Sequence, residues 1–600
     1  MWGERMGLRL LILLSGVVIG GGIAAAEPAQ TASNAPAALA SAALSAPAQL
    51  RLLDDIPDYA AALASQWGSA DVPPGIERFV SDTSRYGRLR ELSAPQALTL
   101  ADCVALALAH NTGLEISRLG PLGARTQVRR AYSIFDPSVF ADLTTDRSEQ
   151  PAGSALQGLT ATKGRSESIN LTGDLGLRKL LRSGAQVSLM LRTNRMNNSS
   201  AFMTDFVPQY RSDLTLQLAQ PMLRDFGLRF TTLQVRIART ESQSALKQYE
   251  ATLATTVKTV EQAYWALVQA NHNVTVQEQG LALAKELQRQ NEGRFNVGAA
   301  PRTAVLEAQA EVARRETNLI QARSARINAR DALRALINAS PDSAESLLVV
   351  EPADAPAVEP YSVDLERSLA TALERRPELA AAKLAVQGAG MQLKLAENQL
   401  LPRLNALGSF GTTGLSGKGR KIDALTGQPK PQNPFTGAYG ETYNGLIDGR
   451  YYSYSAGLTL EVPLSNAQAR ADYAAVRVSV EQARLSLQQL QENVTLEVKR
   501  AVSNLETDIK SIEATRIARE LAEENLRNQK ARYDVGLATT KDLLDFQDRL
   551  TIARATEIQA LVTYNVDLAE LRRVEGSLLE ARHVQVTDSD SEPTPFWAQF

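Results

Sequence analysis

One stretch restricts the fold of this chain more than any other feature of its sequence. Residues 464–535 contain neither glycine nor proline. Apolar residues recur there at spacings of three and four, as at Leu487, Leu490, Val494 and Val498, which is typical of coiled-coil packing. A continuous helix over this stretch would reach about 100 Å at about 1.5 Å per residue. Because helices of compact domains average about 11–12 residues, the pattern predicts an elongated rod.

The rod lies in one half of an internal duplication. The segment LTLADCVALALAHNTGL (98–114) is similar to VDLERSLATALERRPEL (363–379), and RFNVGAAPRTAVLEAQ (294–309) is similar to RYDVGLATTKDLLDFQ (532–547). Self-similarity of this kind indicates a repeated supersecondary unit. The predicted segments are a signal peptide (1–26), an N-terminal extension (27–96), a first repeat (97–345), a second repeat (346–582) and a flexible C-terminal tail (583–600).

Each repeat carries the same order of structural signals. A short helix and a helix of about 20 residues are followed by a strand, a loop, a returning strand and a long helix. The long helices are expected to end before Gly298 and Gly536, since glycine favours the position just after a helix. Pro221 and Pro463 suit first helical turns and are expected to begin them. We therefore predict two long antiparallel helical hairpins, each with a strand pair at its far end.

Alternating apolar and polar residues mark the predicted strands. Leu214, Leu216 and Leu218 alternate with polar neighbours in the first repeat, and residues 452–460 alternate in the second. Strands of about 10 residues with this alternation are typical of transmembrane barrels. Residues 168–193 hold an extra hairpin candidate in the first repeat. This hairpin could enlarge a barrel, extend a surface loop or lie elsewhere.

The N-terminal sequence predicts export. Arg5 and Arg9 lie at the start of an apolar stretch that runs to Ile19, and Ala26 ends a small-residue cleavage site. The alternative is an N-terminal membrane anchor. No later run of about 18 apolar residues follows, so a membrane-spanning mature chain is expected to use β-strands. Two strand pairs are too few for a barrel, which needs at least about 8 strands, so several chains are expected to pool their strands.

The amino-acid composition argues against several classes of function. The formal net charge of −2 provides no basic field for nucleic acid. Cys103 is the one cysteine, which excludes an internal disulfide, and the three histidines are far apart in the sequence. Neither a phosphate-binding glycine loop nor a catalytic cluster occurs. We expect no metal, no cofactor and no enzyme activity.

In both repeats, over residues 97–580, the sequence resembles the TolC-like outer-membrane efflux family, also called outer membrane factors. The first repeat carries ALALAHNTGL, FDPSV, LQLAQPMLRDFG and RFNVG, and the second carries ATALERRPEL, LPRLNALGSFG, LTLEVPL and RYDVGLATTKDLLD. The resemblance implies a mostly α-helical homotrimer with transmembrane β-structure. Four strands from each chain would form a twelve-stranded barrel in the outer membrane, continued by a helical tunnel through the periplasm.

The resemblance also assigns the two helical tips to adaptor docking. The residues concerned are Phe295, Val297, Gly298, Val535, Gly536 and Leu537. It further implies three kinds of partner: outer-membrane lipid, a periplasmic membrane-fusion adaptor, and an inner-membrane pump of the RND or ABC type. These helical tips would then form the end of the tunnel that faces the inner membrane.

A periplasmic gate is the third feature that the resemblance implies. Asp542 and Asp545 match the family's acidic ring, and their spacing puts both carboxylates on one helix face. Six carboxylates around a trimeric pore would attract cations. The alternative is structural, because Thr539-x-x-Asp542 fits a capping box. Tyr533 matches the gate tyrosine, and its alternative is an aromatic side chain packed at a helix end.

Two positions depart from the family's gate pattern. The partner arginine of the gate falls on Ala538, and the partner acid of the first repeat falls on Ala304. Side-chain hydrogen bonds of the usual kind are therefore not expected there, and Arg302 is a candidate substitute.

The sequence thus predicts a passive exit duct in the outer membrane, part of a tripartite efflux or type I secretion system. An exported coiled-coil adhesin or spacer without a pore is the main alternative. The periplasmic adaptor itself is a second alternative, but it would carry one hairpin and a compact β domain rather than two hairpins with paired strands.

Overall fold

The computed structural model describes residues 96–151, 165–198, 205–337, 350–358, 361, 364–421, 428–431, 433–584 and 586. The predicted signal peptide, the predicted extension apart from Gln96, and most of the predicted tail lie outside these residues. The strands are β1 (Gln96–Leu98), β2 (Ser138–Pro151), β3 (Arg165–Leu180), β4 (Gln186–Asn198), β5 (Phe206–Pro221), β6 (Val350–Pro352), β7 (Arg403–Gly419) and β8 (Tyr452–Glu461). The α-helices are α1 (Leu100–His110), α2 (Thr112–Tyr132), α3 (Leu228–Thr231), α4 (Leu233–Asn296), α5 (Arg302–Ile337), α6 (Leu365–Arg375), α7 (Pro377–Gln399), α8 (Glu441–Asp448), α9 (Ala467–Asp534), α10 (Thr540–Glu575) and α11 (Leu578–Ala581).

Two very long helices dominate the structure. Helix α4 has 64 residues and α9 has 68, which corresponds to about 100 Å each, so the predicted rods are confirmed. Each turns back into a helix of 36 residues, α5 or α10. The hairpins lie side by side, with α4 packed against α10. Within the described residues, no helix is both long enough and apolar enough to cross a lipid bilayer.

The predicted starts of the long helices are wrong. Pro221 is the last residue of β5 and pairs with Asn405 of β7, and Pro463 lies in the connection between β8 and α9. A proline has no N–H group to donate to a ladder, so it suits a strand end as well as a first helical turn. The apolar alternation before each proline carries the strand up to or near it, and the helices begin later.

Two apolar cores hold the hairpins together near mid-length. One joins α1, α4, α5 and α10 around Tyr264, which is fully buried. The other joins α6, α9 and α10 around Leu505. The short parallel pair of β1 and β6 lies beside the first core, where the Tyr264 hydroxyl lies 3.1 Å from the carbonyl oxygen of Leu98 and 2.9 Å from the Asp354 carboxylate. The segments that begin the two repeats are thereby fixed to each other and to α4.

Six strands form one antiparallel sheet in the order β2, β3, β4, β5, β7 and β8. The prediction of four strands from each chain is therefore wrong. The extra hairpin candidate forms β3 and β4, which lie between the two strands predicted for the first repeat. Its backbone groups are paired on both sides, so the hairpin belongs to the sheet and is not a surface loop.

Candidate functional site

The two helical tips have the same backbone turn. At the first tip the Gly298 N–H donates to the Phe295 carbonyl (2.9 Å) and the Ala299 N–H to the Arg294 carbonyl (2.7 Å). These two bonds form a Schellman motif, which ends a helix on a residue with positive φ. Gly298 has a φ of 76°, a conformation that glycine adopts without strain.

The second tip repeats this arrangement. The Gly536 N–H donates to the Tyr533 carbonyl (3.0 Å) and the Leu537 N–H to the Arg532 carbonyl (2.8 Å). Gly536 has a φ of 80°. The predicted turns at both glycines are confirmed, and each tip presents the short segment that follows its long helix.

Apolar side chains project from both tips. Phe295 is 44% exposed, Val297 79%, Val535 70% and Leu537 71%. Apolar side chains that lie close together and exposed are a feature of many protein contact sites. The structure thus places the predicted docking residues where a partner could reach them.

Tyr533 is buried between the two hairpins. Its side chain is 3% exposed and packs against Leu287 and Leu543. Its hydroxyl donates a hydrogen bond to the side-chain oxygen of Asn291 on α4. The guanidinium of Arg294 lies 4.5 Å from the centre of its ring, within the range of a cation–π interaction.

Asn291 extends this contact to the helices that return from both tips. Its side-chain N–H group donates to the carbonyl oxygen of Ala304 on α5 (3.1 Å) and to the hydroxyl of Thr540 on α10 (3.3 Å). Asn291 is 1% exposed, so these bonds form away from water. The resulting Tyr533–Asn291–Thr540 contact, called the tip latch below, ties the second tip to the first hairpin. Sequence reasoning missed Asn291, because its partner is more than 200 positions away.

Ala538 and Ala304, where the resemblance expects gate partners, have different contacts in the structure. Ala538 contributes to the apolar cluster around Tyr533, and Ala304 offers only its carbonyl to Asn291. Arg302 begins α5 with an exposed side chain. The hydroxyl of Tyr533 is thus bound by the side-chain amide of Asn291.

Asp542 forms a capping box with Thr539 at the start of helix α10. Its carboxylate accepts hydrogen bonds from the N–H (3.0 Å) and hydroxyl (2.7 Å) of Thr539, and its own N–H donates to that hydroxyl (3.2 Å). The hydrogen bonds from Thr539 lower the pKa of Asp542, which keeps the carboxylate charged. The capping alternative is confirmed, while a ring of carboxylates formed with Asp545, which is also exposed, stays a prediction.

A second polar contact between the hairpins lies further from the tips. The buried Arg315 guanidinium on α5 binds Glu311 of its own helix (2.6 Å) and Asp548 of α10 (2.9 Å). Buried ion pairs of this kind are strongly sensitive to loss of one partner. Together with the tip latch, this contact fixes the hairpins at their free ends.

Both lateral sides of the chain expose edge strands or apolar side chains, which are usually covered by a neighbour. Strands β2 and β8 form the two ends of the sheet, and all of β8 and all of β2 except Phe140 are exposed. In the bundle, the outer helices α5 and α9 carry exposed apolar residues. These are Leu306, Ile320 and Ile327 on α5, and Val478, Leu485, Leu496, Ile509, Ile517 and Leu521 on α9. Unpaired strand edges and exposed coiled-coil positions favour lateral association of chains.

Among the residues that the structure describes, no group of three histidine, cysteine, aspartate or glutamate side chains could hold a metal ion. Cys103 is fully buried in the first core. Its burial, with smaller contributions from Asp102 and Asp354, raises the pKa of the thiol to about 12. A thiol in this state is not a nucleophile at neutral pH.

Comparison with known proteins identifies relatives of this arrangement. Residues 168–339 and 369–577 match the family described as outer membrane efflux protein. BepC, an outer membrane efflux protein of Brucella suis, is 26% identical over 301 residues, which is 50% of this chain and 58% of BepC. TolC of Escherichia coli is 26% identical over 387 residues, covering 63% of this chain and 72% of TolC.

Solved structures show the same fold. The CmeC outer membrane channel of Campylobacter jejuni superposes with a TM-score of 0.56 at 16% identity, covering 80% of this chain and 86% of CmeC. The open-state MtrE channel of Neisseria gonorrhoeae gives a TM-score of 0.55 at 18% identity, covering 81% and 91%. Since the family match spans more than half of the sequence and falls in both repeats, the chain belongs to the outer membrane efflux protein family.

Proposed function

We propose that this chain is the exit duct of a tripartite efflux or type I secretion system. Three copies pool their strands into a closed barrel in the outer membrane, and their long helices form a tunnel into the periplasm. An inner-membrane pump of the RND or ABC type supplies the energy, and a membrane-fusion adaptor connects pump and duct. This chain contributes a passive, water-filled path and no catalysis.

The sheet is the observation that carries this proposal. It has two exposed edge strands, β2 and β8, and open edges are not tolerated in lipid, where every backbone polar group needs a partner. Pairing β8 of one copy with β2 of the next satisfies both edges when the ring closes. The exposed apolar residues on α5 and α9 support the same lateral contact lower in the molecule.

The helical tips support the proposed contact with a periplasmic adaptor. Phe295, Val297, Val535 and Leu537 leave apolar surface exposed at the ends of both hairpins, which suits an adaptor that grips the tunnel from the periplasm. The family match supports a channel and gives no support to a coiled-coil adhesin without a pore.

Complementation of a deletion strain tests this function. Cells that lack the chain but keep the pump should accumulate the pump's cargo, and the intact chain should restore export. The double variant Val297→Asp/Leu537→Asp should assemble normally but restore little export, because charged tips resist apolar docking. Val358→Asp, at an exposed apolar site away from the tips, is the control and should restore export fully. Unchanged export after deletion of the chain would contradict the proposal.

A further inference from the structure

The hairpin of β3 and β4 is built into the sheet over its full length. Strand β2 pairs with β3 from Ser138 opposite Arg178 to Pro151 opposite Arg165. Strand β4 pairs with β5 from Gln186 opposite Ala219 to Met196 opposite Gln209. A hairpin hydrogen-bonded on both sides adds two strands to the wall that its neighbours form.

Comparison of the repeats identifies this hairpin as an insertion. In the second repeat β7 and β8 are direct neighbours, with Leu404 opposite Leu460. The corresponding strands of the first repeat are β2 and β5, and the hairpin separates them. Two inserted strands leave β2 and β5 antiparallel and leave their side chains facing the same sides as before. The insertion thus widens the sheet without disturbing its pattern.

The hairpin presents the same apolar face as the other four strands. One row of directly opposite residues crosses all six strands and contains only apolar or aromatic side chains, all of them exposed. Its members are Val139, Leu177, Leu189, Leu216, Phe410 and Tyr454. A lipid-facing wall carries apolar side chains on its outer side, and the hairpin supplies to this row one leucine from each of its strands.

The opposite face is polar across the hairpin as well. Arg192 on β4 donates two hydrogen bonds to the Asp174 carboxylate on β3, at 2.8 and 2.9 Å. The same row continues to Asp213 on β5, whose carboxylate accepts a hydrogen bond from the Thr413 hydroxyl on β7 (2.7 Å). Barrel strands carry polar residues on the side that faces the lumen. Both faces of the hairpin therefore match a transmembrane wall.

A close side-chain contact fixes the hairpin to β2. The ring of Phe140 covers Gly176 of β3, so that a Cβ atom at Gly176 would overlap the ring. The guanidinium of Arg178 lies 4.2 Å from the centre of the same ring. Aromatic side chains that cover a glycine of the neighbouring strand pin the register of a sheet, and this contact does so at the join between β2 and the insertion.

We infer that the hairpin of β3 and β4 is part of the outer-membrane wall, so that the assembled duct has eighteen strands instead of twelve. This inference rests on the proposed trimer. Barrel diameter grows about linearly with strand number, so the wall is about 1.5 times as wide and its cross-section about 2 times as large. Barrels of about 16–18 strands leave an aqueous channel. The proposed membrane section is therefore a wide, water-filled exit.

Disulfide trapping in the intact protein tests whether the hairpin of β3 and β4 lies in the barrel wall or outside it. All variants carry Cys103→Ala, which removes the native thiol. The pairs Val139→Cys/Leu177→Cys and Leu189→Cys/Leu216→Cys should form intrachain disulfides in isolated outer membranes. These residues are directly opposite, where Cα atoms lie about 4.5–5.5 Å apart, within the limit of about 7 Å for a disulfide.

The competing arrangement predicts a different pair. If the hairpin left the wall, β2 would pair with β5 as β7 pairs with β8, which places Val139 opposite Leu218. With the hairpin in the wall these residues are separated by about 14 Å or more, three strand spacings of about 4.8 Å. Val139→Cys/Leu218→Cys should then remain reduced, while Leu404→Cys/Leu460→Cys, the matched control in the second repeat, should form a disulfide. Efficient bridging of Val139→Cys/Leu218→Cys, or failure of both hairpin pairs while the control bridges, overturns the inference.

Cryo-electron microscopy of the chain in lipid nanodiscs supplies the strand count. Eighteen strands in a three-chain ring are expected. A three-chain ring with twelve wall strands would overturn this inference and leave the proposed duct intact. Absence of any ring, with the intrachain disulfides still formed, would instead contradict the proposed trimer, so the two failures are distinguishable.

Discussion

The two helical tips have the same backbone turn, but the aromatic side chain at the same motif position is exposed at one tip and buried at the other. Phe295 and Tyr533 occupy the same place in the motifs RFNVG and RYDVG. Phe295 is 44% exposed and Tyr533 is 3% exposed. The first tip therefore presents its aromatic side chain to the surroundings, whereas the second buries it against the first hairpin. The two tips thus share a turn and exposed apolar neighbours, and they differ in whether the aromatic side chain at this position is exposed or packed against the other hairpin.

Truncation of the two aromatic residues should separate the two tips most strongly. Tyr533→Ala leaves a cavity in the cluster with Leu287 and Leu543, at a cost of about 3–5 kcal/mol. Phe295→Ala should leave stability nearly unchanged and should weaken export. Thermal unfolding of the purified assemblies and export assays measure the two effects. Equal losses of stability in both variants would refute this difference between the tips.

The next effect comes from the hydroxyl of Tyr533. Tyr533→Phe keeps the ring but leaves the buried side-chain oxygen of Asn291 without its donor, which should cost about 1–3 kcal/mol. Because the tip latch joins two hairpins, amide hydrogen exchange should speed up in residues 287–300 and 529–542. The equivalent change at the first tip, Phe295→Tyr, is the control and should leave exchange unchanged. No difference between the two variants would show that the latch does not hold the tips.

The shared turn predicts equal effects at its two glycines. Gly298→Ala and Gly536→Ala each force a residue with a Cβ atom into positive φ, at a cost of about 1–2 kcal/mol. Nothing lies within 4 Å of a Cβ atom at either position, so no steric overlap adds to this cost. Each substitution should lower the thermal midpoint by a similar amount. A large difference between the two variants would mean that the tips are not equivalent in backbone structure.

The smallest expected effect is a pH dependence of stability that is confined to the second hairpin. Asp508 on α9 and Asp567 on α10 lie together, where the first repeat has Ala270 and Ala329. Burial and the neighbouring Asp567 raise the pKa of Asp508 to about 6, and burial also raises the pKa of Asp567. Since the folded state holds the proton more tightly than the unfolded chain, this pair stabilises the hairpin at low pH, and its contribution is lost as the pH rises through about 6.

Replacement of Asp508 tests the predicted direction of this pH dependence of stability. Asp508→Asn should raise the thermal midpoint at pH 8 and change it little at pH 5, because Asp508, whose pKa is raised to about 6, is ionised beside Asp567 at the higher pH and mostly protonated at the lower one. Asp472→Asn, on the exposed surface of the same helix, is the matched control. An Asp508→Asn variant that is stabilised equally at both pH values would contradict the assignment.

The sequence was sufficient to predict elements whose signals are local. The stretch without glycine or proline predicts α9, and the glycines of RFNVG and RYDVG predict both turns, because each depends on neighbouring residues alone. Pro221 and Pro463 give a wrong prediction because proline suits a strand end and a helix start equally. The alternation in residues 168–193 predicts a hairpin, but only pairing with β2 and β5 shows where it lies.

Residues that act through distant partners have the weakest signals in the sequence. The sequence marks Tyr533 through its motif, but Asn291 has no local signal, since it contacts Thr540 and Tyr533 only when two hairpins pack together. Asp542 illustrates the reverse case. Its bonds to Thr539 are local, so the capping box was predictable, whereas a pore ring depends on how separate chains assemble.

Conductance across a planar lipid bilayer tests the central claim most directly. Purified assemblies of the full chain, added to one side of the bilayer, should insert and produce discrete, uniform current steps, because pooled strands enclose a water-filled path that continues through the helical tunnel. The Tyr533→Phe variant should produce larger steps, since the tip latch is weakened. Assemblies that insert into the bilayer without carrying any current would contradict the account of this chain as a duct.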